Sequence, residues 1–341
     1  MPPSKKYTLH DIARELNVSA STVSRALQNN PRISEGMRRN VKELADKMEY
    51  QPDFRAMSLR KGSGKTIGVL LPQVDRHFFA TVLRGVDEVS SEAGYNVLIC
   101  QSYESVAKEA ALARSLMTGK IDGLLASISI ETRNGEHFEQ FRRKNLPLVF
   151  FDRALESMQV SQVILDDRKG AMMAVEHLIE NGRKKIAHFA GPGHIQIYAN
   201  RTQGYLDALK KHDFTVDERL ILKGVITRQA GCEAFRILND RVDKPDAIFS
   251  SGDYSALGAM ICAKEAGLRV PQDLAFVGFA NEPFGSIINP TLSSVDQHAL
   301  EMGRQAATLL IQEIENKTKS FIPRKIVLDP LLIVRQSTQI H

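Results

Sequence analysis

From Thr66 onward the sequence alternates two kinds of stretch, and that alternation restricts the fold more than any other feature. Short apolar runs occur at 67–71, 96–100, 123–126, 147–151, 185–189, 247–250 and 274–279. Between them, apolar residues recur at helical spacing over 81–93, 107–117, 170–181, 201–211, 230–238, 255–266 and 299–315. Strands linked through helices pair in parallel, because a parallel connection has to cross the sheet and a helix is the compact way to do it. Residues 66–341 exceed what one hydrophobic core holds. More than one α/β unit is expected.

The segment before this body differs in kind. Thr8 and Asp11 stand at capping-box spacing, and Leu9, Ile12, Ala13 and Leu16 then share one helical face. Asn17-Val18-Ser19 breaks that helix, and Ser19 can cap a second over about 20–27. There Val23, Ala26 and Leu27 face one side, with Ser21 and Arg25 on the other. A third helix follows Ser34, with Met37, Val41, Leu44, Ala45 and Met48 at helical spacing. Two short helices with a tight break, braced by a third, make a helix-turn-helix. Charge points the same way. Residues 1–65 hold 13 Lys and Arg against 7 Asp and Glu, whereas the rest of the chain is close to neutral within a total of +5. A basic head on a neutral body suits a polyanion. Small residues at the start of the second helix allow close approach to base edges, and Arg25 can pair with guanine N7 and O6. Ser19, Thr22 and Ser24 suit phosphate oxygens. Pattern alone favours DNA binding and leaves a generic three-helix bundle with a solvated arginine as the alternative.

The run from Thr8 to Leu27, continued by Ile33-Ser34, Arg38, Tyr50-Gln51-Pro52, Ala56 to Leu59 and Thr66 to Pro72, resembles the lactose/galactose repressor family of bacterial transcription regulators. The resemblance extends over essentially the whole chain. It implies an all-α helix-turn-helix head (1–50), a hinge (51–65), and an effector-binding and dimerisation body (66–341). That body is expected to be α/β and periplasmic-binding-protein-like, with two parallel-sheet lobes. The same resemblance assigns DNA contacts to Thr8, Ser19, Ala20, Ser21, Thr22, Ser24, Arg25, Ser34, Tyr50 and Leu59, with Ala20, Ser21 and Arg25 reading bases. Asp53 can cap a short hinge helix that Gly62 and Gly64 end, too short to persist alone in water. The family implies that two such helices pair in the minor groove and that Leu59 wedges into a base step. Composition alone also fits a solvated linker. Met57 stands where the family usually has Arg, which puts one phosphate contact in doubt.

Ligands of parallel α/β folds sit at the carboxyl ends of strands. The polar and aromatic residues there are Arg76 to Phe79, Asp152-Arg153, Asn200-Arg201 with Gly204-Tyr205, and Gly252-Asp253-Tyr254. The family pattern makes Phe78 and Phe79 an apolar face, Asp152 and Arg201 hydrogen-bonding clamps, and Asp253 a cleft residue. The small metabolite so held is expected to be a sugar or sugar derivative. By position alone each Asp is more often a helix cap or ion-pair partner, and each Phe is as readily a core residue. Two departures bear on the ligand. Ala280 stands where the family places a gripping Asp, and Val225-Ile226 where it often has an aromatic. Either Glu282 takes over the polar role or the effector is less hydroxylated. A purine-like or protein corepressor, and a plain small-molecule receptor with the same body, are the competing readings.

Catalysis is not expected. No His pair has metal-ligand spacing, and neither a G-x-S-x-G elbow nor a phosphate-binding Walker loop occurs. Gly191-Pro192-Gly193 lacks the rest of a dinucleotide fingerprint, and Asp166-Asp167 reads as a strand end or helix cap. No cofactor or metal is implied. Cys100, Cys232 and Cys262 are odd in number and far apart, which argues for free thiols in a reducing compartment. A polar N-terminus and the lack of a long apolar run predict a soluble cytoplasmic protein without a membrane partner. The chain closes soon after Ile333 to Thr338 without an apolar heptad tail, so a homodimer is expected in place of a tetramer.

Overall fold

The computed structural model describes residues 7–50, 64–316 and 322–339. The chain divides into two compact units, Met1–Gly64 and Lys65–His341.

In the first unit, α1 (Leu9–Glu15), α2 (Ala20–Leu27) and α3 (Glu35–Lys47) pack around Ile12, Ala13, Val23, Ala26, Val41 and Ala45. Those are the inward positions that helical spacing selects. The break between α1 and α2 is made by Asn17 in the left-handed region (φ 50°), which Asn tolerates better than most residues. Ser19 caps α2 by accepting the Thr22 N–H at 3.1 Å, and Ser34 caps α3 by accepting that of Met37 at 3.4 Å. At α1 the Asp11 carboxylate accepts both the Thr8 N–H (2.9 Å) and the Thr8 hydroxyl (2.7 Å).

The second unit consists of two six-stranded lobes. The first contains β1 (Thr66–Leu71), β2 (Asn96–Gln101), β3 (Gly123–Ala126), β4 (Leu148–Phe151), β5 (Ser161–Leu165) and β11 (Lys325–Leu328), in the order β11-β5-β4-β3-β1-β2 and all parallel. The second contains β6 (Ile186–Ala190), β7 (Ile221–Lys223), β8 (Ala247–Ser250), β9 (Ala275–Phe279), β10 (Ser293–Asp296) and β12 (Leu331–Ile333). Its order is β12-β10-β9-β8-β6-β7, with β12 alone antiparallel. Helices α4 (His77–Glu92), α5 (Val106–Thr118), α6 (Glu139–Arg143) and α11 (Ala299–Glu315) belong to the first lobe. Helices α7 (Asp167–Glu180), α8 (Gln196–Lys211), α9 (Arg228–Asn239) and α10 (Asp253–Glu265) belong to the second. The chain passes between lobes three times, at β5–α7, β10–α11 and β11–β12. Three connections at one edge make a hinge. Among the described residues no helix is long and apolar enough to cross a membrane.

All seven predicted strands form. Five more strands fall outside the expectation because their apolar runs are short or mixed: β10 reads Ser-Ser-Val-Asp, and β7 and β12 have three residues each. Two predicted helix starts are corrected, because α4 begins at His77 and α8 at Gln196. The cysteine reading is also corrected. Cys232 and Cys262 form a disulfide joining α9 to α10, with Cα atoms 5.6 Å apart, and only Cys100 is free. Thirty residues of sequence separation hid a pair that two helices packed side by side bring together.

Candidate functional site

On the head, α2 presents the predicted reading face. Ser21 and Arg25 are exposed, and Ala20, Thr22 and Ser24 are half-exposed. The hydroxyls at the helix start form a cluster, with Ser19 Oγ 2.7 Å from Ser21 Oγ and 2.9 Å from Thr22 Oγ1. Ser19 and Ser34 are therefore helix caps in this structure, and Thr8 is tied to Asp11. A capped helix start still presents free amides, a suitable seat for a phosphate. Tyr50 packs against the head's core. Leu59, Asp53 and Met57 lie outside the described residues.

Between the lobes lies a cavity of about 330 Å³, lined by loops that follow the carboxyl ends of strands in both sheets. From the first lobe come Arg76, Phe78 and Phe79 after β1, Glu104 after β2, Ile130 after β3, and Asp152 and Arg153 after β4. The second lobe contributes Tyr198 and Arg201 on α8, Ile226 after β7, Ser251 to Tyr254 after β8, and Ala280 and Glu282 after β9. Phe78, Phe79, Asp152, Arg201 and Asp253, all predicted, thus converge on one cavity. Two contacts bridge the lobes. The Arg76 guanidinium lies 4.0 Å from the centre of the Tyr254 ring, and His194 Nε2 is 2.6 Å from the Ile130 carbonyl.

The charged groups are mostly committed to one another. Arg201 is buried. Its Nε donates to Asp167 Oδ1 (2.8 Å), its Nη1 donates to the Ser251 carbonyl (2.8 Å), and its guanidinium lies over Phe279 at 3.8 Å. Nη2 sits 2.7 Å from the same Asp167 oxygen but is misaligned for a hydrogen bond. Arg153 donates to both oxygens of Glu104 at 3.1 and 2.9 Å. Burial opposes its charge, yet Tyr198, Glu104 and Asp152 hold its pKa above the usual guanidinium value. Both Asp253 oxygens are taken, one by the Glu282 N–H and one by the Ser294 hydroxyl, each at 2.7 Å. Burial pushes Asp167 and Asp253 up to about 6, and it raises Asp152 against the pull of Arg153 and Arg201. Three buried polar atoms of the lining make no hydrogen bond among the described residues: Arg153 Nε and Arg201 Nη2, which have only a carboxylate oxygen nearby, and Ser251 Oγ. Unpaired buried donors are costly, so a polar ligand is what such a lining would satisfy.

Sequence reasoning missed Glu104, Tyr198 and Asp167. Glu104 follows a predicted strand, so the rule that found Asp152 would have found it. Tyr198 fell in front of a helix start placed five residues late. Asp167 was read with Asp166 as a cap. Asp166 does cap α7, accepting the Lys169 N–H at 2.9 Å, while Asp167 turns inward to Arg201. The ring of Tyr198 packs where Gly191 would carry a Cβ, which accounts for the glycine in that loop.

Comparison with known proteins agrees with this geometry. Residues 8–53 match the pattern of bacterial regulatory proteins of the lacI family, and residues 175–338 match the periplasmic binding protein-like domain. Catabolite control protein A of Priestia megaterium is 32% identical over 334 residues, which cover 97% of this chain and 99% of that one. A solved complex of the transcriptional regulator CelR with cellobiose is 29% identical, covers 97% of this chain and 100% of its own, and gives a TM-score of 0.74. The lac repressor dimer bound to operator and an anti-inducer shares the fold, with a TM-score of 0.87 at 22% identity over 98% of this chain and 100% of its own. On identity sustained along nearly the whole sequence, the chain belongs to the lacI family of bacterial regulatory proteins.

Proposed function

We propose that the protein is a cytoplasmic, homodimeric repressor whose affinity for a pseudo-palindromic operator is set by a small metabolite in the interlobe cavity. As a member of the lacI family the chain is a DNA-binding transcription regulator, and the relatives it matches are regulators, not enzymes. The observation that supports the finer reading is the cavity, lined from both lobes and holding three buried polar atoms that make no hydrogen bond among the described residues. Lobes joined by three short crossings can close on a ligand, and closure shifts whatever the first lobe carries. Two copies related by a two-fold axis would set their α2 helices in successive major grooves. The wide exposure of Leu98 and Ile99 on β2, beside exposed Tyr103, supports self-association at this sheet edge. In this reading 51–65 form the hinge, and Leu59 enters the minor groove.

The test has two stages. Selection of bound duplexes from a random pool should return a two-fold symmetric site. Titration of sugars, nucleobases and a phosphoprotein against that site should find a small molecule that changes its affinity at least fivefold, the low end of useful allosteric coupling. A response to the phosphoprotein alone would favour a protein corepressor and overturn the cavity reading.

A further inference from the structure

Helices α9 and α10 of the second lobe meet backbone to backbone. A Cβ on Gly231 would collide with the Ser255 carbonyl, and one on Gly258 with the Arg228 carbonyl. Beside this contact Phe235 and Leu238 of α9 and Ala259, Met260 and Ala263 of α10 are buried in one core cluster. Cys232 follows Gly231, and Cys262 lies one turn beyond Gly258. The disulfide between them therefore adds a covalent constraint to an interface that apolar burial and close packing already supply.

The two sulfurs are unequally placed. Cys262 is buried, whereas Cys232 is half-buried at the margin of the cluster. Arg228 and Arg236 stand four residues before and after Cys232, on its face of α9, and both are exposed. Glu233, the acid next to it, is held by Gln229 Nε2 at 2.9 Å. Positive charge on both sides favours a thiolate, and a half-buried sulfur remains within reach of a small thiol. Cys100 is the contrast. Burial pushes its thiol up, which makes the third cysteine the less reactive one.

We propose that Cys232 and Cys262 form a reversible redox site, closed by a low-molecular-weight disulfide such as glutathione disulfide and reopened by the matching thiol, and that closure stiffens the second lobe. The inference rests on the reading of the protein as cytoplasmic, because a disulfide in a reducing compartment is usually transient and redox-sensing, not a permanent staple. In the opening direction a glutathione thiolate attacks Cys232 Sγ, the more accessible sulfur. The Sγ–Sγ bond breaks, and Cys262 Sγ leaves as a thiolate that takes up a proton. A second glutathione thiolate then attacks the glutathione sulfur of the mixed disulfide and releases Cys232, which is protonated in turn. Two electrons and two protons pass to the protein, and two glutathiones become one glutathione disulfide. Closure runs the same steps backwards, starting from the thiolate that Arg228 and Arg236 favour at Cys232. The closed bond joins residues 30 apart across β8, so it limits both the unfolded chain and the sliding of α9 on α10.

The test equilibrates the full-length protein, without air, in buffers that run from reduced glutathione to glutathione disulfide. Free thiols are then capped with maleimide and counted by mass. The wild type should pass from three capped cysteines in the reduced buffers to one, Cys100, in the oxidised ones, with its midpoint in mixtures that contain both forms. Its thermal midpoint should rise by at least about 4 °C on oxidation. A bond that stays closed in reduced glutathione alone is a permanent staple, and a pair that stays open in glutathione disulfide alone does not form a bond. Either result overturns the proposal without reference to any variant, as does a thermal midpoint that moves by less than about 1 °C. Cys100→Ser should keep the transition, whereas Cys232→Ser should abolish it. A bond that still forms in Cys232→Ser pairs other cysteines and refutes the assignment. Because no readout uses an operator, failure to select a symmetric duplex sinks the regulator reading, while the thiol count decides this one.

Discussion

His188 shows how strongly a single residue can depend on its surroundings. It lies wholly buried on β6, stacked against Tyr205 and Phe249 with ring centres 5.0 Å away on each side. Nδ1 and Nε2 contact the Phe249 carbonyl (3.2 Å) and the Thr202 hydroxyl (3.0 Å). Burial drives its pKa down to about 4 from 6.5, opposed by the bond to Phe249. Below pH 6.5 the unfolded chain takes up the proton and the folded one does not, so this contribution is present above pH 6.5 and is lost as pH falls toward 4. Each pH unit across that window costs about 1.4 kcal/mol. Asp167, Asp253 and Glu282 are raised instead, so their contributions run the opposite way and weaken as pH rises through about 6 to 7. Only a difference isolates His188. Between pH 7 and pH 5, urea unfolding of the wild type should lose about 2 kcal/mol more than that of His188→Asn; parallel profiles would refute the assignment. On the head, Arg25 is exposed on the same helix face as Ser21. Arg25→Ala should cost roughly 1–3 kcal/mol on one base-pair identity and little elsewhere. A uniform loss across operator variants would make it a phosphate contact.

Among the elements, the first lobe depends on the approach of α4 to α11. A Cβ on Gly85 would collide with the Leu300 carbonyl, and one on Gly303 with the Val82 carbonyl, so the two helices touch backbone to backbone. Around that contact Val82, Val86, Met302 and Ala306 are fully buried. Gly303→Ala must push the helices apart, and overpacking of this kind costs about 1–3 kcal/mol. The thermal midpoint should fall, whereas Gly94→Ala, in open space, changes packing little but forces a side chain to φ 73°. Equal loss at both positions would show that backbone strain dominates. The helices were legible because their apolar spacing is regular. The intimacy of the contact was not, since a glycine in a helix gives no sign of which neighbour approaches it.

At the scale of the molecule, β2 closes the first sheet on one side. It is an edge strand with Leu98 at 46% and Ile99 at 47% exposure. Edge strands left apolar invite pairing unless charge or a partner covers them. If the proposed homodimer forms at this edge, Leu98→Lys should shift it to monomer in sedimentation and weaken operator binding sharply, because two linked heads bind far more tightly than one. A dimer that survives the change would place the interface on another face.

The sequence alone determined the local periods, and with them the helices, the seven apolar strands and the three-helix head, because burial of one face writes itself into neighbouring positions. It also determined that Asp152 stands just past a strand end. It was silent wherever two distant segments had to meet. That Asp167 faces Arg201, that Cys232 meets Cys262, and that a strained turn at Ala280 delivers Glu282 to the cavity are decided by the packing of helices and the order of strands. Such contacts depend on three-dimensional distance, and no spacing along the chain encodes them.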